Sequence, residues 1–182
     1  MRGSPIATYA NSIPGDREGA RLKLPETLVA DLIERWPIAR LATVGETGAP
    51  HQVPIVFARV EDMLWSPVDG KPKSVAASEL TRVVHLRNRR QASLLLDYYS
   101  DDWRRLWWLR LDVTATVHEV GPSPDDDPTI ASALDALRRK YPQYRSTPIL
   151  TESGVEPGLL LRFEVERARS WCPGPEVPLV SF

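Results

Sequence analysis

Eleven consecutive residues, from Trp107 to Val117, alternate strictly between two kinds of side chain in the segment WWLRLDVTATV. One set is entirely apolar: Trp107, Leu109, Leu111, Val113, Ala115 and Val117. The other set is mostly polar: Trp108, Arg110, Asp112, Thr114 and Thr116. Because successive side chains of a β-strand point to opposite faces, this pattern predicts a long strand with one face against a core.

Shorter segments elsewhere in the chain also have the composition of strands: IARLATV, HQVPIVFARV, MLWSPV, QASLLLDYY and LLLRFEVERA. The turn residues GETGAP separate the first two segments, which predicts a hairpin. Pro54 lies within the second segment and cannot donate a ladder hydrogen bond. We therefore expect it at a sheet edge, at a bulge, or where another group approaches the backbone.

Three further segments have helical periodicity. The first is PETLVADLIERW, in which Leu28, Leu32 and Trp36 lie four residues apart; the second covers residues 74–88; the third begins with Asp127 as its predicted N-cap. This order of elements predicts an α+β, mainly β fold, in which an antiparallel, Greek-key-like, six-stranded barrel carries flanking helices. Periodicity alone leaves other small α+β folds open.

The composition bounds the class of protein. The chain has 182 residues, 42% of them hydrophobic, which is enough for one domain with a full core. A formal net charge of -1 gives no reason to expect nucleic acid or an anionic membrane as a partner. No apolar run approaches the roughly 20 residues that span a bilayer. With Cys172 as its single cysteine the chain has no internal disulfide, and we expect it to be cytoplasmic.

The N-terminal segment differs from the rest of the chain. Residues 1–21 mix Pro, Gly, Ser, Asn and charged residues without periodicity, which is typical of a flexible extension. The opening MRGS is also typical of a vector remnant. We expect an extension over residues 1–21 and one domain over residues 22–182.

The common catalytic and nucleotide-binding motifs are absent from the sequence. There is no GxGxxG, no GxxxxGK[ST] and no GxSxG, although a triad assembled from distant residues stays open. His51, His85 and His118 lie far apart, without the spacing of a zinc site, so we expect no metal. The carboxylate clusters at residues 101–102 and 125–127 are adjacent rather than opposed, and we expect turn and capping roles for them.

Basic residues are concentrated in the middle of the chain. Positions 71–90 hold six of the 23 basic residues: Lys71, Lys73, Arg82, Arg87, Arg89 and Arg90. In a chain of nearly zero net charge, this clustering indicates a local site for phosphate or carboxylate groups. An ordinary solvated helix face is the alternative for any single member.

Tryptophan is concentrated just after this region. Trp103, Trp107 and Trp108 fall within six residues, and their large apolar surface favours burial. Core or subunit-interface packing is the simplest explanation for Trp107 or Trp108, and a flat aromatic cofactor explains another. The face of the strand that carries Trp108 and Arg110 is amphipathic enough for a dimer interface or a pocket wall.

The order of several segments resembles the deazaflavin-dependent (F420-dependent, FDOR-B-like) members of the pyridoxamine-phosphate-oxidase-like superfamily. The segments are LATVGETGAPHQVPIVF, LWSPVDGKPK, LTRVVHLRNRRQASLLLDYYSDDWRRLWWLRLDVTA and KYPQY, followed by the closing strand before Trp171. The resemblance covers residues 24–171. It implies an FMN-binding split β-barrel that forms a homodimer, with two cofactor sites in the grooves between subunits.

The same resemblance implies the cofactor-binding residues. The second strand would offer its backbone to the ring at Pro54 and Ile55. The end of the third strand and the following helix would hold the phosphate through Ser66, Lys71, Lys73 and Arg82. His85 and Asn88 follow within reach of one helical face, and Trp103 or Trp107 would border the ring.

The implied activity is hydride transfer between reduced coenzyme F420 and a small conjugated or carbonyl-like substrate. The cofactor carries such chemistry, so no catalytic side chain is expected. Two alternatives remain open. One is an FMN-dependent oxidoreductase of the same fold, and the other is a non-catalytic split-barrel protein that binds a flavin, a deazaflavin or haem.

Overall fold

The structure is a computed structural model and describes residues 22–69, 75–121, 123, 127–150 and 157–174. Within these ranges the α-helices are α1 Glu26–Arg35, α2 Thr81–Asn88 and α3 Pro128–Lys140. The strands are β1 Ala39–Val44, β2 Pro50–Ile55, β3 Ala58–Val60, β4 Met63–Pro67, β5 Gln91–Tyr98, β6 Trp107–Val120 and β7 Gly158–Trp171. Short 3-10 turns lie at Ala77–Glu79, Trp103–Arg105 and Pro142–Arg145.

All these strands form one antiparallel sheet in the order β2-β1-β5-β6-β7-β4-β3. The end strands β2 and β3 are separated in the chain by residues 56 and 57 alone, which limits the Cα atoms of Ile55 and Ala58 to at most about 11 Å apart. The sheet therefore curves until its two edges approach each other. No ladder joins β2 to β3 in the described part of the chain, so the barrel is split, and the predicted mainly β antiparallel fold is confirmed.

The strand count differs from the sequence prediction, because HQVPIVFARV is divided into β2 and β3 at Val56 and Phe57. Tyr141, directly after α3, explains the division. Its hydroxyl accepts a hydrogen bond from the backbone N–H of Phe57 (3.0 Å) and lies 2.7 Å from the carbonyl oxygen of the same residue. The polar backbone groups of Phe57 are thus paired with a side chain instead of a strand, and the chain can cross from one sheet edge to the other.

The predicted alternating strand is confirmed as the first part of β6. Its apolar face is in the core, where Trp107, Leu109, Leu111, Val113 and Ala115 are each at most 3% exposed. The opposite face is half-buried from Trp108 to Thr116. Helix α1 covers this core with Val29, Leu32 and Ile33, whereas Leu28 and Trp36 of the predicted stripe lie at its margin.

A second apolar cluster lies where α3 packs against β3 and β4. Its buried strand residues include Trp65 and Leu160, and its buried helix residues include Ile130, Ala133, Leu134 and Leu137. The predicted N-cap is confirmed, since Asp127 Oδ1 accepts from the backbone nitrogens of Thr129 (2.9 Å) and Ile130 (3.3 Å).

The second predicted helix is shorter than its sequence pattern. The pattern covered residues 74–88, but α2 begins at Thr81, because Leu80 is extended (φ -58°, ψ 131°) and separates α2 from the 3-10 turn at Ala77–Glu79. The predicted extension at residues 1–21 lies outside the described residues. No helix in the described ranges is long and apolar enough to cross a membrane.

Candidate cofactor site

Helix α2 presents polar side chains to the C-terminal end of β1 and the beginning of β2. Arg82, His85 and Asn88 lie three residues apart, which places them on one side of the helix. Val83 and Leu86 are buried against the core and anchor that helix. The structure therefore brings together the three site residues that the resemblance implied on this helix.

His85 is fixed from both sides of its ring. Nδ1 lies 3.0 Å from Oγ1 of Thr43, which is only 1% exposed on β1. On the other side the ring approaches Gly45 so closely that a Cβ atom at that position would lie 2.8 Å from Nε2 of His85. A side chain at position 45 would therefore displace this imidazole.

His51 faces His85 from β2. It is the register partner of Thr43, and the two imidazole rings are 5.7 Å apart between centroids, nearly perpendicular. Burial lowers the pKa of His51 from the ordinary 6.5, and the neighbouring His85 and Arg82 lower it further. We therefore expect a neutral His51 at pH 7, with its buried Nδ1 lacking a hydrogen-bond partner in the described structure.

A buried polar pair lies near Arg82 and consists of Asp69, which follows β4, and Tyr144, which belongs to the 3-10 turn after α3. Asp69 accepts a hydrogen bond from the hydroxyl of Tyr144 at 3.2 Å, and the pKa of that hydroxyl is raised first by burial and then by Asp69. Burial lowers the pKa of Arg82, while the Asp69 carboxylate acts in the opposite direction. Arg82 thus lies in a partly desolvated position with a counter-charge nearby.

Two buried polar atoms of the implied phosphate site have no hydrogen-bond partner among the described residues. They are Oγ of Ser66, a residue only 1% exposed, and Nε of Arg82. Buried polar groups normally find a partner, because leaving one unpaired costs about 1–3 kcal/mol. A hydroxyl and a guanidinium N–H are suitable donors for phosphate oxygens, so these residues fit an anionic group.

A cleft of about 640 Å³ opens between the β1–β2 turn and the C-terminal half of α2. Its lining residues are Val44, Gly45, Glu46, Thr47, Val84, His85, Asn88 and Arg89. Asn88 donates to Glu46 across it at 3.2 Å. The cleft places His85 and Asn88 within reach of a ligand that enters beside α2.

The other described basic residues of the central cluster, Arg87, Arg89 and Arg90, are exposed. Arg87 pairs with Glu119 at 2.8 Å, and Arg90 donates to Thr116 and to the carbonyl oxygen of Ala115. Arg89 lines the cleft. Lys71 and Lys73 lie outside the described residues.

The implied ring-contact residues are in contrasting environments. β2 is an end strand of the sheet, which confirms Pro54 at an edge; Pro54 is exposed and Ile55 is buried. Trp103 is 77% exposed on its 3-10 turn. Trp107 instead packs edge-on against Trp36 in the core, with 4.6 Å between ring centroids, and presents almost no surface to a ligand.

Sequence reasoning did not assign His51, Thr43, Asp69 or Tyr144 to this site. Only His51 had a usable signal, because the alternation of β2 places it on the same inward face as Val53 and Ile55. In the described part of the chain, no group of three or more His, Cys, Asp or Glu side chains is arranged to hold a metal ion.

The pyridoxamine 5'-phosphate oxidase family model matches residues 25–172. The chain belongs to this family. No curated protein matched the chain in the sequence comparison.

Solved structures share the fold of this family member at low sequence identity. The conserved hypothetical protein Rv2991 from Mycobacterium tuberculosis is 19% identical, with a TM-score of 0.62 and coverage of 89% of this chain and 96% of that chain. The haem storage protein HutZ from Vibrio cholerae is 13% identical, with a TM-score of 0.57 and coverage of 82% and 94%. An F420 reductase is 15% identical, with a TM-score of 0.51 and coverage of 76% and 94%. These likenesses establish the fold.

Proposed function

We propose that this chain is a homodimeric oxidoreductase that binds coenzyme F420 and transfers a hydride between the reduced deazaflavin and a small conjugated or carbonyl-like substrate. Membership of the pyridoxamine 5'-phosphate oxidase family and a structural neighbour named as an F420 reductase support the class of cofactor. The observation that supports the site best is that two buried donors, Oγ of Ser66 and Nε of Arg82, have no hydrogen-bond partner in the part of the chain that the structure describes.

Ser66 and Arg82 would hold the phosphate of the cofactor, together with Lys71 and Lys73 from outside the described residues. A charge-assisted hydrogen bond in a sheltered position contributes on the order of 1.5–3 kcal/mol. Arg82 meets that condition because its guanidinium is partly desolvated, and the Asp69 carboxylate lies near it. Its Nε, which lacks a hydrogen-bond partner among the described residues, would donate to an incoming anion.

Pro54 and Ile55 would offer backbone to the ring, and Trp103 would border it. Pro54 suits this position, because it lacks an N–H and lies on an end strand of the sheet. His85 and Asn88 would contact the cofactor from α2, with the imidazole of His85 oriented by Thr43. Reduced deazaflavin supplies the hydride, so the tasks of these residues are binding, orientation and exclusion of water.

The outer face of the sheet supports the dimer part of the proposal. Trp108 and Trp171 are register partners on β6 and β7, and both are half-buried, as is Leu95 on β5. An ion-pair network, Arg110–Asp112 (3.2 Å) and Asp112–Arg167 (2.7 Å), lies on the same strands. Apolar residues with paired charges around them are typical of a subunit interface.

The test is incubation of the full chain with F420 and, separately, with FMN, followed by gel filtration with absorbance detection. We expect F420 to elute with protein at the mass of a dimer. Anaerobic mixing with reduced F420 and a panel of enones, quinones and tetrapyrroles should then oxidise the cofactor with at least one substrate class.

Each part of the proposal has an outcome that contradicts it. Elution with FMN but not with F420 would support the FMN-dependent alternative. Stoichiometric binding without turnover across the panel would support a non-catalytic binding protein. A monomer that binds F420 would contradict the shared site.

A further inference from the structure

A second cleft, of about 390 Å³, opens between the C-terminal ends of α1 and α3 and the start of β3. Its lining residues are Glu34, Arg35, Ala58, Arg59, Ala136, Arg139 and Lys140. None of them lines the cleft beside α2. Charged side chains from three elements therefore converge on a place that the proposed function does not use.

We propose that Lys140 is a covalent modification site, at which its ε-amine takes the acyl group of small acyl phosphates. The nitrogen lone pair attacks the carbonyl carbon, and the bond between that carbon and the phosphate oxygen breaks. Inorganic phosphate leaves, and the amine gives up a proton to solvent. The product is a neutral amide on Lys140.

The amine is held in a partly desolvated position. Nζ lies 4.0 Å from the ring centroid of Phe57 and donates to the carbonyl oxygen of Ile33 at 3.2 Å. Burial lowers the pKa of Lys140 to about 8, with Glu34 acting in the opposite direction. About half of the amine is then neutral and nucleophilic at pH 8, compared with roughly 0.3% for an ordinary lysine.

The charges around the amine favour an anionic donor. Arg35 faces the cleft from α1, Arg59 from β3 and Arg139 from α3, whereas Glu34 is the single acidic lining residue. Arg35 and Arg59 also pair with acids at the margin, at 3.4 and 3.8 Å. Burial raises the pKa of the neighbouring Tyr141, which therefore stays neutral at pH 8. Arg139 takes part in no ion pair among the described residues, so its charge would attract a phosphate-bearing molecule toward the amine.

Acylation would change the junction between β2 and β3. The amide keeps one N–H for the carbonyl oxygen of Ile33, but the cation above the Phe57 ring is lost. Phe57 lies between the end of β2 and the start of β3. Acylation would therefore remove a cation–ring contact at the point where the barrel is split.

The chain suits a labelling experiment because its lysines are few: Lys23, Lys71, Lys73 and Lys140. The full chain is incubated with acetyl phosphate between pH 7 and 10, and acetylation of each lysine is followed by peptide mass spectrometry. We expect Lys140 to react at least about tenfold faster than Lys23 at pH 8, with a rate that levels off above pH 8–9. Equal rates, or a Lys140 rate that still climbs steeply to pH 10, would overturn the proposal.

Two arginine variants test the charge requirement. Arg139→Gln removes a lining cation, and the matched control Arg138→Gln removes a cation that pairs with Asp135 outside the cleft. With acetyl phosphate we expect Arg139→Gln alone to slow Lys140 acetylation, by about two- to fivefold. With the neutral donor N-hydroxysuccinimidyl acetate neither variant should slow it. The preference for anionic donors would be overturned if both variants slowed Lys140 acetylation equally. It would also be overturned if Arg139→Gln slowed the reaction equally with acetyl phosphate and with the neutral donor.

Discussion

The phenolic oxygen of Tyr141 lies 3.0 Å from the backbone nitrogen of Phe57 and 2.7 Å from the carbonyl oxygen of the same residue. It also lies 2.9 Å from the carbonyl oxygen of Pro37. One hydroxyl at the end of α3 thus connects the short link between β2 and β3 with the segment that follows α1. These contacts pair the polar backbone groups of Phe57 at the point where the barrel is split.

Tyr141→Phe removes these hydrogen bonds and leaves buried backbone groups of Phe57 unpaired. We expect the free energy of unfolding to fall by about 1–3 kcal/mol, measured by urea denaturation. The matched control is Tyr99→Phe, because Tyr99 is 75% exposed and its change should stay within about 0.5 kcal/mol. Equal stability of the two variants would contradict the role of Tyr141.

Gly45→Ala introduces a methyl group where His85 lies 2.8 Å away. The imidazole must then move and weaken its contact with Thr43. We expect a loss of about 1–3 kcal/mol in stability and a shift of the His85 ring resonances in NMR spectra. Gly121→Ala is the control, since a Cβ atom there meets nothing within 4 Å. An unshifted His85 spectrum in the alanine variant would show that position 45 does not constrain the ring.

The pKa of His51 is lowered by burial first, and then by His85 and Arg82. The unfolded chain therefore binds a proton at His51 more readily than the folded chain does. We expect stability to fall as the pH drops through about 6.5, and we expect this pH dependence to be weaker in His51→Asn. In Arg82→Gln the NMR titration midpoint of His51 should move upward. An unchanged or lower midpoint would contradict the electrostatic coupling.

Burial lowers the pKa of Lys140 from 10.5 to about 8. Between these values the unfolded chain holds a proton that the folded chain has lost, so stability contributed by this group rises with pH. Relative to Lys140→Met, we expect the wild type to gain about 1–2 kcal/mol between pH 7.5 and 9.5 in urea denaturation. Parallel pH profiles for the two proteins would mean that the amine is not desolvated.

Local patterns predicted much of the fold. The alternation of Trp107 to Val117 gave β6 and its buried face, and Asp127 was recognisable as an N-cap because capping depends on neighbours in sequence. The division of HQVPIVFARV was not predictable in this way. It depends on Tyr141, a residue 84 positions from Phe57, which leaves no periodic signal in either segment.

The candidate site was predictable to a smaller extent. The spacing of Arg82, His85 and Asn88 placed them on one side of a helix, and that arrangement is present. Whether a tryptophan faces a ligand or the core could not be read from composition, because Trp107 packs against Trp36, which is distant in sequence and directly follows α1. His51 joins the site only through strand pairing with Thr43.

The most direct test of the proposed function is an equilibrium titration of F420 fluorescence with the wild type, Arg82→Gln and Arg87→Gln. Arg87 is on the same helix but pairs with Glu119 at the surface, so it is the matched control. We expect Arg82→Gln to raise the Kd for F420 at least about tenfold and Arg87→Gln to leave it within about twofold. Failure of the wild type to bind F420, or equal Kd values for wild type and Arg82→Gln, would contradict the proposed cofactor site.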